Sequence, residues 1–276
     1  MADHLSCGRF QLDLHRVQIM GILNVTPDSF SDGGQWQHRE QALAHVQAMV
    51  EAGATVIDIG GESTRPGAPE VPVQQELDRV IPLLETLAPE CPVPISVDTS
   101  KAEVMSAAAA AGASMINDVF ALRQPGALEA VAASDLPVCL MHMQGQPRTM
   151  QQAPEYSDVF NEVRGFLLQR IAACEAAGIE RRRIVLDPGF GFGKTLEHNL
   201  ALLRALSGFH DLGLPLLAGI SRKSMIGQIT GREVNLRVHG SVVAAFFAMQ
   251  QGAQIIRVHD VAATRDAVRM FEALSR

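Results

Sequence analysis

The sequence predicts an α/β protein, a single (β/α)8 barrel of the TIM type preceded by a short extra strand or hairpin. Eight apolar runs are each too short for a helix, which indicates buried strands. Segments with helical periodicity separate them, and 276 residues suit a barrel that takes about 250 residues as one domain. We therefore predict one domain over residues 1–276. The predicted strands are Gln18–Leu23, Thr55–Ile59, Pro94–Val97, Ser114–Ile116, Pro137–Met141, Arg183–Leu186, Leu214–Ala218 and Ala253–Val258.

The remaining elements follow from the patterns before and between these strands. Phe10–Leu14 alternates apolar and polar residues, which predicts a short strand or hairpin ahead of the barrel. Helices are predicted at Gln41–Ala52, at Glu76–Leu87, in the alanine-rich stretch after Asp98, and at Tyr156–Ala177, Leu196–Leu206 and Val261–Leu274. A doubly wound sheet is the alternative. Eight alternating units, and the lack of a GxGxxG turn after the first strand, favour the barrel.

Composition excludes several classes of function. The net charge of −7 argues against binding to nucleic acid or to an anionic membrane surface. The four cysteines are scattered and never form CxxC, so neither a zinc site nor a disulfide framework is indicated. The sequence has no signal-peptide core and no apolar stretch near 18 residues. We expect a soluble cytoplasmic protein with reduced thiols.

Polar residues follow nearly every predicted strand, where barrel enzymes carry their chemistry. A single Asp at a strand end is more often a helix cap than a catalyst, but capping does not explain a whole ring. The ring therefore predicts a functional site. Its members are Asn24, Glu62, Ser63, Thr64, Arg65, Asp98, Asn117, Asp118, His142, Asp187, Ser221, Arg222, Lys223, Arg257 and His259.

The charges of this ring suit a ligand with two parts. Asp98, Asn117 and Asp187 offer acceptors to a flat heterocycle that presents amino and ring N–H groups. Cations and a hydroxyl suited to phosphate come from Arg65, Thr64, Arg257 and His259. The long loops Val25–Gln35 and Gly61–Pro72 are either lids or plain surface connections.

One apparent motif has a different interpretation. The residues up to Thr195 nearly match the phosphate-binding pattern GxxxxGK[ST], but that pattern needs glycine where this chain has Pro188. Proline removes a backbone donor, so a nucleotide-triphosphate site is disfavoured. We predict that Lys194 is a solvated loop cation.

Seven segments together closely resemble the dihydropteroate synthase family of bacterial folate synthesis. They are MGILNVTPDSFSDGG (Met20–Gly34), IDIGGESTRPGA (Ile57–Ala68), ISVDTSK (Ile95–Lys101), INDV (Ile116–Val119), LDPGFGFGK (Leu186–Lys194), SRKSMIG (Ser221–Gly227) and IIRVHDV (Ile255–Val261). The resemblance implies condensation of 6-hydroxymethyl-7,8-dihydropterin pyrophosphate with 4-aminobenzoate to give dihydropteroate and pyrophosphate. It also implies a sulfonamide target, a Mg²⁺ ion and a homodimer.

The resemblance implies residue roles as well. Asp32, Asp98 and Lys223 would be catalytic, and the implied Mg²⁺ ligand is Asn24. The pterin would be held by Asp98, Asn117, Asp187 and Lys223. The pyrophosphate would be held by Asn24, Thr64, Arg65, Arg257 and His259. Around the 4-aminobenzoate would lie Phe30, Pro66, Phe192, Ser221 and Ser224, with its carboxylate near a helix expected to begin at Ser221.

Several residues keep structural interpretations beside these roles. We predict that Asp58 and Glu62 bond the backbone of the second long loop. Asp118 and His142 are either satisfied core polar groups or ligand contacts. The apolar segment Val242–Met249 is either a subunit interface or a helix buried within one subunit.

Two other functions remain open at this stage. The first is a pterin-dependent methyltransferase that acts on a corrinoid protein, and the second is a non-catalytic pterin-binding paralogue. The SRKS and RVH segments favour the synthase, because the methyltransferase has no need of them.

Overall fold

A closed parallel sheet dominates this computed structural model, which describes residues 3–25, 35–64, 67–146 and 149–275, with the backbone alone for 35–38. Its strands in those residues are β3 (Gln18–Asn24), β4 (Val56–Gly60), β5 (Ile95–Asp98), β6 (Met115–Asp118), β7 (Val138–Met141), β8 (Ile184–Asp187), β9 (Leu217–Ala218) and β10 (Ile255–Val258). The sheet order is β8-β7-β6-β5-β4-β3-β10-β9. A parallel bridge between Leu186 and Leu216 joins its two ends. The predicted (β/α)8 barrel is confirmed.

Proline explains the main difference from the predicted strands. The sequence predicts a strand over Leu214–Ala218, but the ladder with β10 covers only Leu217 and Ala218. Pro215 has no N–H to donate, although its carbonyl accepts from the Leu186 N–H at 2.9 Å. Between β8 and the segment before β9, the barrel is therefore closed by the Leu186–Leu216 bridge and by the Pro215 carbonyl.

Helices alternate with the strands around the barrel. Within the described residues they are α1 (Gln35–Glu51), α2 (Val73–Leu87), α3 (Ala102–Ala110), α4 (Ala127–Ala132), α5 (Val159–Ala176), α6 (Leu196–Arg204), α7 (Ser224–Thr230), α8 (Val238–Gln250) and α9 (Val261–Leu274). In α2 the buried Val80, Leu83, Leu84 and Leu87 lie on one face, as helical spacing predicts. Among the helices that the structure describes, none is long and apolar enough to cross a membrane.

An antiparallel hairpin of β1 (His4–Cys7) and β2 (Phe10–Asp13) closes the end of the barrel where the strands begin. Its apolar face packs against side chains from the first two or three residues of seven barrel strands. This cluster, called the hairpin core below, consists of Leu5, Cys7, Leu12, Leu14, Met20, Val56, Met115, Cys139, Val185, Leu217 and Ile255. The predicted hairpin is confirmed. The polar residues that follow the described strands lie at the other end of the barrel.

Candidate active site at the carboxyl ends of the strands

Register places the polar strand ends side by side. Asn24 of β3 pairs with Gly60 of β4, Gly60 with Asp98 of β5, and Asp98 with Asn117 of β6. These residues form one row across four strands because parallel strands bring their carboxyl ends to the same edge of the sheet. Gly60 has no side chain, so the row has a gap at this position, called the Gly60 gap below. The Asn24 amide oxygen and the Asp98 Cβ lie on either side of this gap.

An ion-pair cluster crosses the barrel interior and includes two residues of this row, Asp98 and Asn117. Arg257 of β10 donates from Nε to Asp58 Oδ2 at 2.6 Å and from Nη2 to Asp98 Oδ2 at 2.7 Å. Asn117 donates from Nδ2 to the same Asp58 oxygen at 3.2 Å. We call Asp58, Asp98, Asn117 and Arg257 the carboxylate–arginine cluster. Asp58 is completely buried, so these hydrogen bonds and the ion pair replace the water contacts that the side chain loses.

The cluster changes the acidity of its members. Burial raises the pKa of Asp98 to about 7, although Arg257 acts in the opposite direction, and the nearby Asp58 adds to the rise. Burial opposes the Arg257 cation, but Asp58 and Asp98 outweigh it and hold the pKa of Arg257 above its ordinary value. Asp98 therefore changes charge near neutral pH beside a permanent cation.

A second group of charged residues, Asp187 and Lys223, lies at this same end of the barrel, which is called the mouth below. Asp187 ends β8, and its Oδ1 accepts from the Gly189 N–H at 2.7 Å. Lys223 donates from Nζ to the Phe190 carbonyl and lies 4.2 Å from the centre of the Phe192 ring. Burial lowers the pKa of Lys223 to about 7 against the attraction of Asp187. Burial also raises the pKa of Asp187, which Lys223 opposes.

The glycine-rich loop, residues 188–195, is fixed by a buried lysine. Lys194 is only 2% exposed and donates to the Gly189 carbonyl at 2.8 Å and the Phe192 carbonyl at 3.1 Å. Its Nζ also lies 2.9 Å from His142 Nδ1. The predicted solvated cation is wrong, because the side chain turns back onto carbonyls of its own loop. Burial, then Lys223, lowers the pKa of Lys194 well below its ordinary value.

Gly189 allows this loop to pass close to the strand beside it. Its φ is +72°, and an added Cβ would lie 1.8 Å from the His142 carbonyl oxygen. Burial and then Lys194 lower the pKa of His142 to about 2, so the neutral ring can accept from Lys194. His142 is therefore a core polar group that serves the loop.

The second long loop, residues 61–72, is held by the partly buried Lys101. Glu62 accepts from the Val71 N–H at 3.0 Å and from Lys101, which also bonds Glu76 at 2.5 Å. The predicted backbone role of Glu62 is confirmed. The same prediction for Asp58 is wrong, because Asp58 faces inward and bonds Arg257 and Asn117. Thr64 of this loop is half-buried.

Ser221 and His259 meet at the ends of neighbouring strands. Ser221 Oγ lies 3.2 Å from the His259 backbone nitrogen and 3.1 Å from His259 Nδ1. Arg222 instead pairs with Asp260 behind the site, with its Nε 2.9 Å from Asp260 Oδ2. The helix expected at Ser221 begins at Ser224, with Lys223 as its N-cap. The intervening turn places Arg222 at φ +57°, outside helical geometry.

The structure thus brings most of the predicted site residues to one end of the barrel. Asp118 is a core polar group, since it accepts the Phe120 and Leu122 N–H groups at 2.8 and 2.6 Å. Sequence reasoning missed the roles of Asp58, Lys101 and Lys194, although an Asp inside the apolar strand VIDIG is a signal for the first. The predicted residues Phe30, Asp32, Arg65 and Pro66 lie outside the described residues.

Comparison with known proteins gives a consistent result. The family described as pterin binding enzyme matches residues 20–259. The dihydropteroate synthase of Escherichia coli (strain K12) is 57% identical over 262 residues, which are 95% of this chain and 93% of that protein. The corresponding enzyme of Haemophilus influenzae is 53% identical, covering 95% of each chain.

Solved structures of dihydropteroate synthases are also similar to this chain. The Yersinia pestis dihydropteroate synthase in complex with a sulfonamide drug superposes with a TM-score of 0.95, at 57% identity over 99% of each chain. The Xanthomonas albilineans enzyme in complex with 7,8-dihydropteroate has a TM-score of 0.90, at 53% identity over 99% of this chain and 98% of that one.

Proposed function

The chain belongs to the pterin-binding enzyme family, and from this we infer that it condenses 6-hydroxymethyl-7,8-dihydropterin pyrophosphate with 4-aminobenzoate. The products are 7,8-dihydropteroate and pyrophosphate, and the chain is a transferase. Its relatives over nearly the full length are dihydropteroate synthases, including Xanthomonas albilineans structures with 4-aminobenzoic acid and with 7,8-dihydropteroate. The observation that carries the inference is the convergence of Asp98, Asn117, Asp187 and Lys223 at one barrel end, where the family motifs require them.

The pterin would lie between the carboxylate–arginine cluster and the second group of charged residues, Asp187 and Lys223. Asp187 has Oδ1 occupied by the Gly189 N–H, which orients the carboxylate and leaves Oδ2 to accept from the pterin amino group. Asp98 and the carbonyl oxygen of Asn117 would accept further ring N–H groups. Lys223 would face a ring nitrogen and the pterin carbonyl as the donor of this set, because the NH₂ group of Asn117 is turned toward Asp58.

The pyrophosphate would lie toward β10 and the second loop. Arg257 and His259 would supply the positive charge for phosphate oxygens, since guanidinium groups suit them through paired N–H donors. Thr64 and Arg65 would bond it from the second loop, and Asn24 would reach its metal ion. Because Arg257 also pairs with Asp98, pterin and pyrophosphate recognition share a residue.

The 4-aminobenzoate would enter above the glycine-rich loop. Phe192, half-buried and under the Lys223 ammonium, offers one ring face. Ser221 and Ser224 would bond the carboxylate, and Phe30 and Pro66 would close over it from the two long loops. This arrangement would align the neutral amine with the exocyclic carbon of the pterin.

The reaction needs no protein nucleophile. The C–O bond to pyrophosphate breaks, the electron pair leaves with pyrophosphate, and the pterin ring stabilises the carbocation at its exocyclic carbon. The amine then attacks, a C–N bond forms, and the nitrogen releases a proton. Asp98 and Asp32 would stabilise the cation electrostatically, with Lys223 orienting the ring. At neutral pH part of the Asp98 population is ionised and available for this role, given its pKa of about 7.

Mg²⁺ is proposed as the metal ion, held by Asn24. The half-buried Asn24 amide oxygen faces the Gly60 gap in the row of strand ends, and Mg²⁺ prefers oxygen ligands with one or two protein groups beside water and phosphate. The donor therefore fits. When bound, the ion would neutralise charge on the leaving pyrophosphate.

A homodimer is proposed through α8 and α9. In α8, Ala245, Ala248 and Met249 are buried, whereas Val243 is 69% exposed and Phe247 is 37% exposed. Met270 and Leu274 of α9 extend this apolar surface. Analytical ultracentrifugation of wild type and Val243→Asp would test it, and a monomeric wild type would contradict it.

We also propose a cytoplasmic location, supported by four buried free cysteines.

One assay tests the proposed function. The purified chain would be given the pterin pyrophosphate with Mg²⁺, with and without 4-aminobenzoate, and both products would be measured. We expect dihydropteroate and stoichiometric pyrophosphate only when both substrates are present. Tight binding of pterin without turnover would favour the non-catalytic paralogue. Methyl transfer from a methylated pterin to a corrinoid protein would favour the methyltransferase.

A further inference from the structure

Asp58 holds two of the residues that the proposed function uses. Its Oδ2 accepts from Arg257 Nε at 2.6 Å and from Asn117 Nδ2 at 3.2 Å. The side chain is fully buried in the middle of β4 and projects from the strand segment just before the Gly60 gap. Asn117 on β6 and Arg257 on β10 thus both donate to the same oxygen atom of Asp58 on β4.

The carboxylate fixes the orientation of the Asn117 amide. A carboxylate paired with a guanidinium only accepts hydrogen bonds, so Asn117 must turn its NH₂ group toward Asp58. The Asn117 carbonyl oxygen then points elsewhere and is an acceptor for an N–H donor. An amide at position 58 would accept either orientation and would lose this selection.

The same oxygen fixes the plane of the Arg257 guanidinium. Nε is bound to Asp58 and Nη2 to Asp98, which uses two of the five N–H groups. Three remain for phosphate oxygens, in a plane set by the two carboxylates. Without Asp58, Arg257 would keep one anchor and could rotate about it.

We propose that Asp58 is a positioning residue that couples recognition of the pterin to recognition of the pyrophosphate. It acts through Asn117 on one side and Arg257 on the other, and it does not itself contact substrate. This inference rests on the proposed function. A purely structural role would not depend on which partner is present. The positioning role requires that the effect on the pterin depends on Asn117 and that the effect on the pyrophosphate depends on Arg257.

The first experiment compares Asp58→Asn with Asp118→Asn. Both changes remove the charge of a fully buried Asp at the same barrel end, but Asp118 bonds only backbone N–H groups of its own loop in the described structure. For Asp58→Asn we expect a KM for the pterin pyrophosphate about 10- to 30-fold higher, with the KM for 4-aminobenzoate within about twofold. Asp118→Asn should change both KM values by less than about twofold.

A double-mutant cycle separates positioning from general damage. The affinity for 6-hydroxymethylpterin would be measured by calorimetry in four proteins: wild type, Asp58→Asn, Asn117→Ala and the double variant. We expect about a tenfold loss from Asp58→Asn in the wild-type background and less than about twofold in the Asn117→Ala background. A corresponding cycle with Arg257→Lys should show the same non-additivity for the pterin pyrophosphate.

Additive losses in both cycles, or equal changes in the two KM values, would overturn the positioning role. If Asp58→Asn does not fold, Asp58→Ser, which is smaller and still polar, takes its place in the same cycles. A wild type that forms no dihydropteroate would contradict the proposed function, and the inference with it. A wild type that turns over while the cycles are additive would contradict the inference alone.

Discussion

The two ends of the barrel differ in what they bury. The hairpin end buries apolar side chains, such as Leu5 and Met20, which are completely inaccessible. The mouth buries charges, and burial moves the pKa values of Asp98 and Lys223 to about 7. Removing an apolar side chain from the first end loses hydrophobic stabilisation. Replacing a buried charge at the second end by a neutral group loses its pairing but relieves a desolvation cost that offsets part of that loss. The apolar packing of the hairpin core and the chemistry of the site thus lie at opposite ends of the barrel axis.

The largest effect is expected at the mouth, from Asp187→Asn. The pterin would lose the charge-assisted hydrogen bond to Oδ2 and would face an amide N–H donor in its place, so kcat/KM should fall about 100- to 1000-fold, equivalent to about 3 to 4 kcal/mol. The Asn oxygen can keep the Gly189 bond, and burial no longer opposes a charge, so Tm should be unchanged or higher. Steady-state kinetics and a melting curve test both points. A large fall in Tm with near-normal kcat/KM would break the comparison.

A smaller effect of the opposite kind is expected from Leu5→Ala in the hairpin core. Loss of a fully buried leucine should lower the free energy of unfolding by about 2 to 4 kcal/mol, with kcat and both KM values unchanged. The matched control is Leu168→Ala, because Leu168 is 38% exposed and should cost less than about 0.5 kcal/mol. Denaturant unfolding measures the difference. A loss of activity in folded Leu5→Ala would show that the ends are coupled.

Lys194→Met sharpens the comparison within the mouth. Lys194 serves its own loop, whereas Lys223 faces the proposed ligand. Loss of the Lys194 bonds removes a donor from the Phe192 carbonyl and leaves the Gly189 carbonyl with the Phe192 N–H alone. Relief of the buried cation offsets part of that cost, so the net loss of stability should be about 1 to 2 kcal/mol. The KM for 4-aminobenzoate should rise several-fold through Phe192. Lys223→Met should instead lose turnover with little loss of stability, and identical behaviour of the two variants would contradict this distinction.

The smallest effect is a pH dependence of about tenfold per unit on either side of neutrality. Burial raises the pKa of Asp98 to about 7, and the carboxylate must be ionised, so kcat/KM should fall below that pH. Burial lowers the pKa of Lys223 to about 7, and the ammonium must be protonated, so kcat/KM should also fall above it. A narrow bell-shaped profile is expected for wild type and for Leu5→Ala. A flat profile from about pH 5.5 to about 8.5 would contradict both assignments.

The fold was predictable because its signals are local. Each predicted strand overlaps an observed one. Strands of a parallel sheet are buried on both faces, so each appears in the sequence as a short continuous apolar run. The strand predicted at Leu214–Ala218 is reduced to the two-residue β9, and this shortening was not predictable because the role of Pro215 depends on its neighbour β8. The polar strand ends were predictable for the same local reason.

Roles that depend on side-chain direction were not predictable. Lys194 follows a glycine-rich turn, where a solvated cation is the simple expectation, and only the fold shows it among carbonyls of its own loop. Asp58 bonds Arg257 across 199 positions of sequence, which no local pattern could indicate. The start of α7 at Ser224 depends on the positive φ of Arg222, which the sequence SRKS does not show.

The most direct test of this separation is one thermal-melting experiment on wild type, Asp187→Asn and Leu5→Ala, each with and without 6-hydroxymethylpterin. Ligand that binds only the folded state raises Tm, so the shift reports the mouth and the ligand-free Tm reports the core. We expect Asp187→Asn to keep at least the wild-type Tm but to lose the pterin-induced shift. We expect Leu5→Ala to have a lower Tm and to keep the full shift. A wild-type shift in Asp187→Asn would contradict the separation of the two ends.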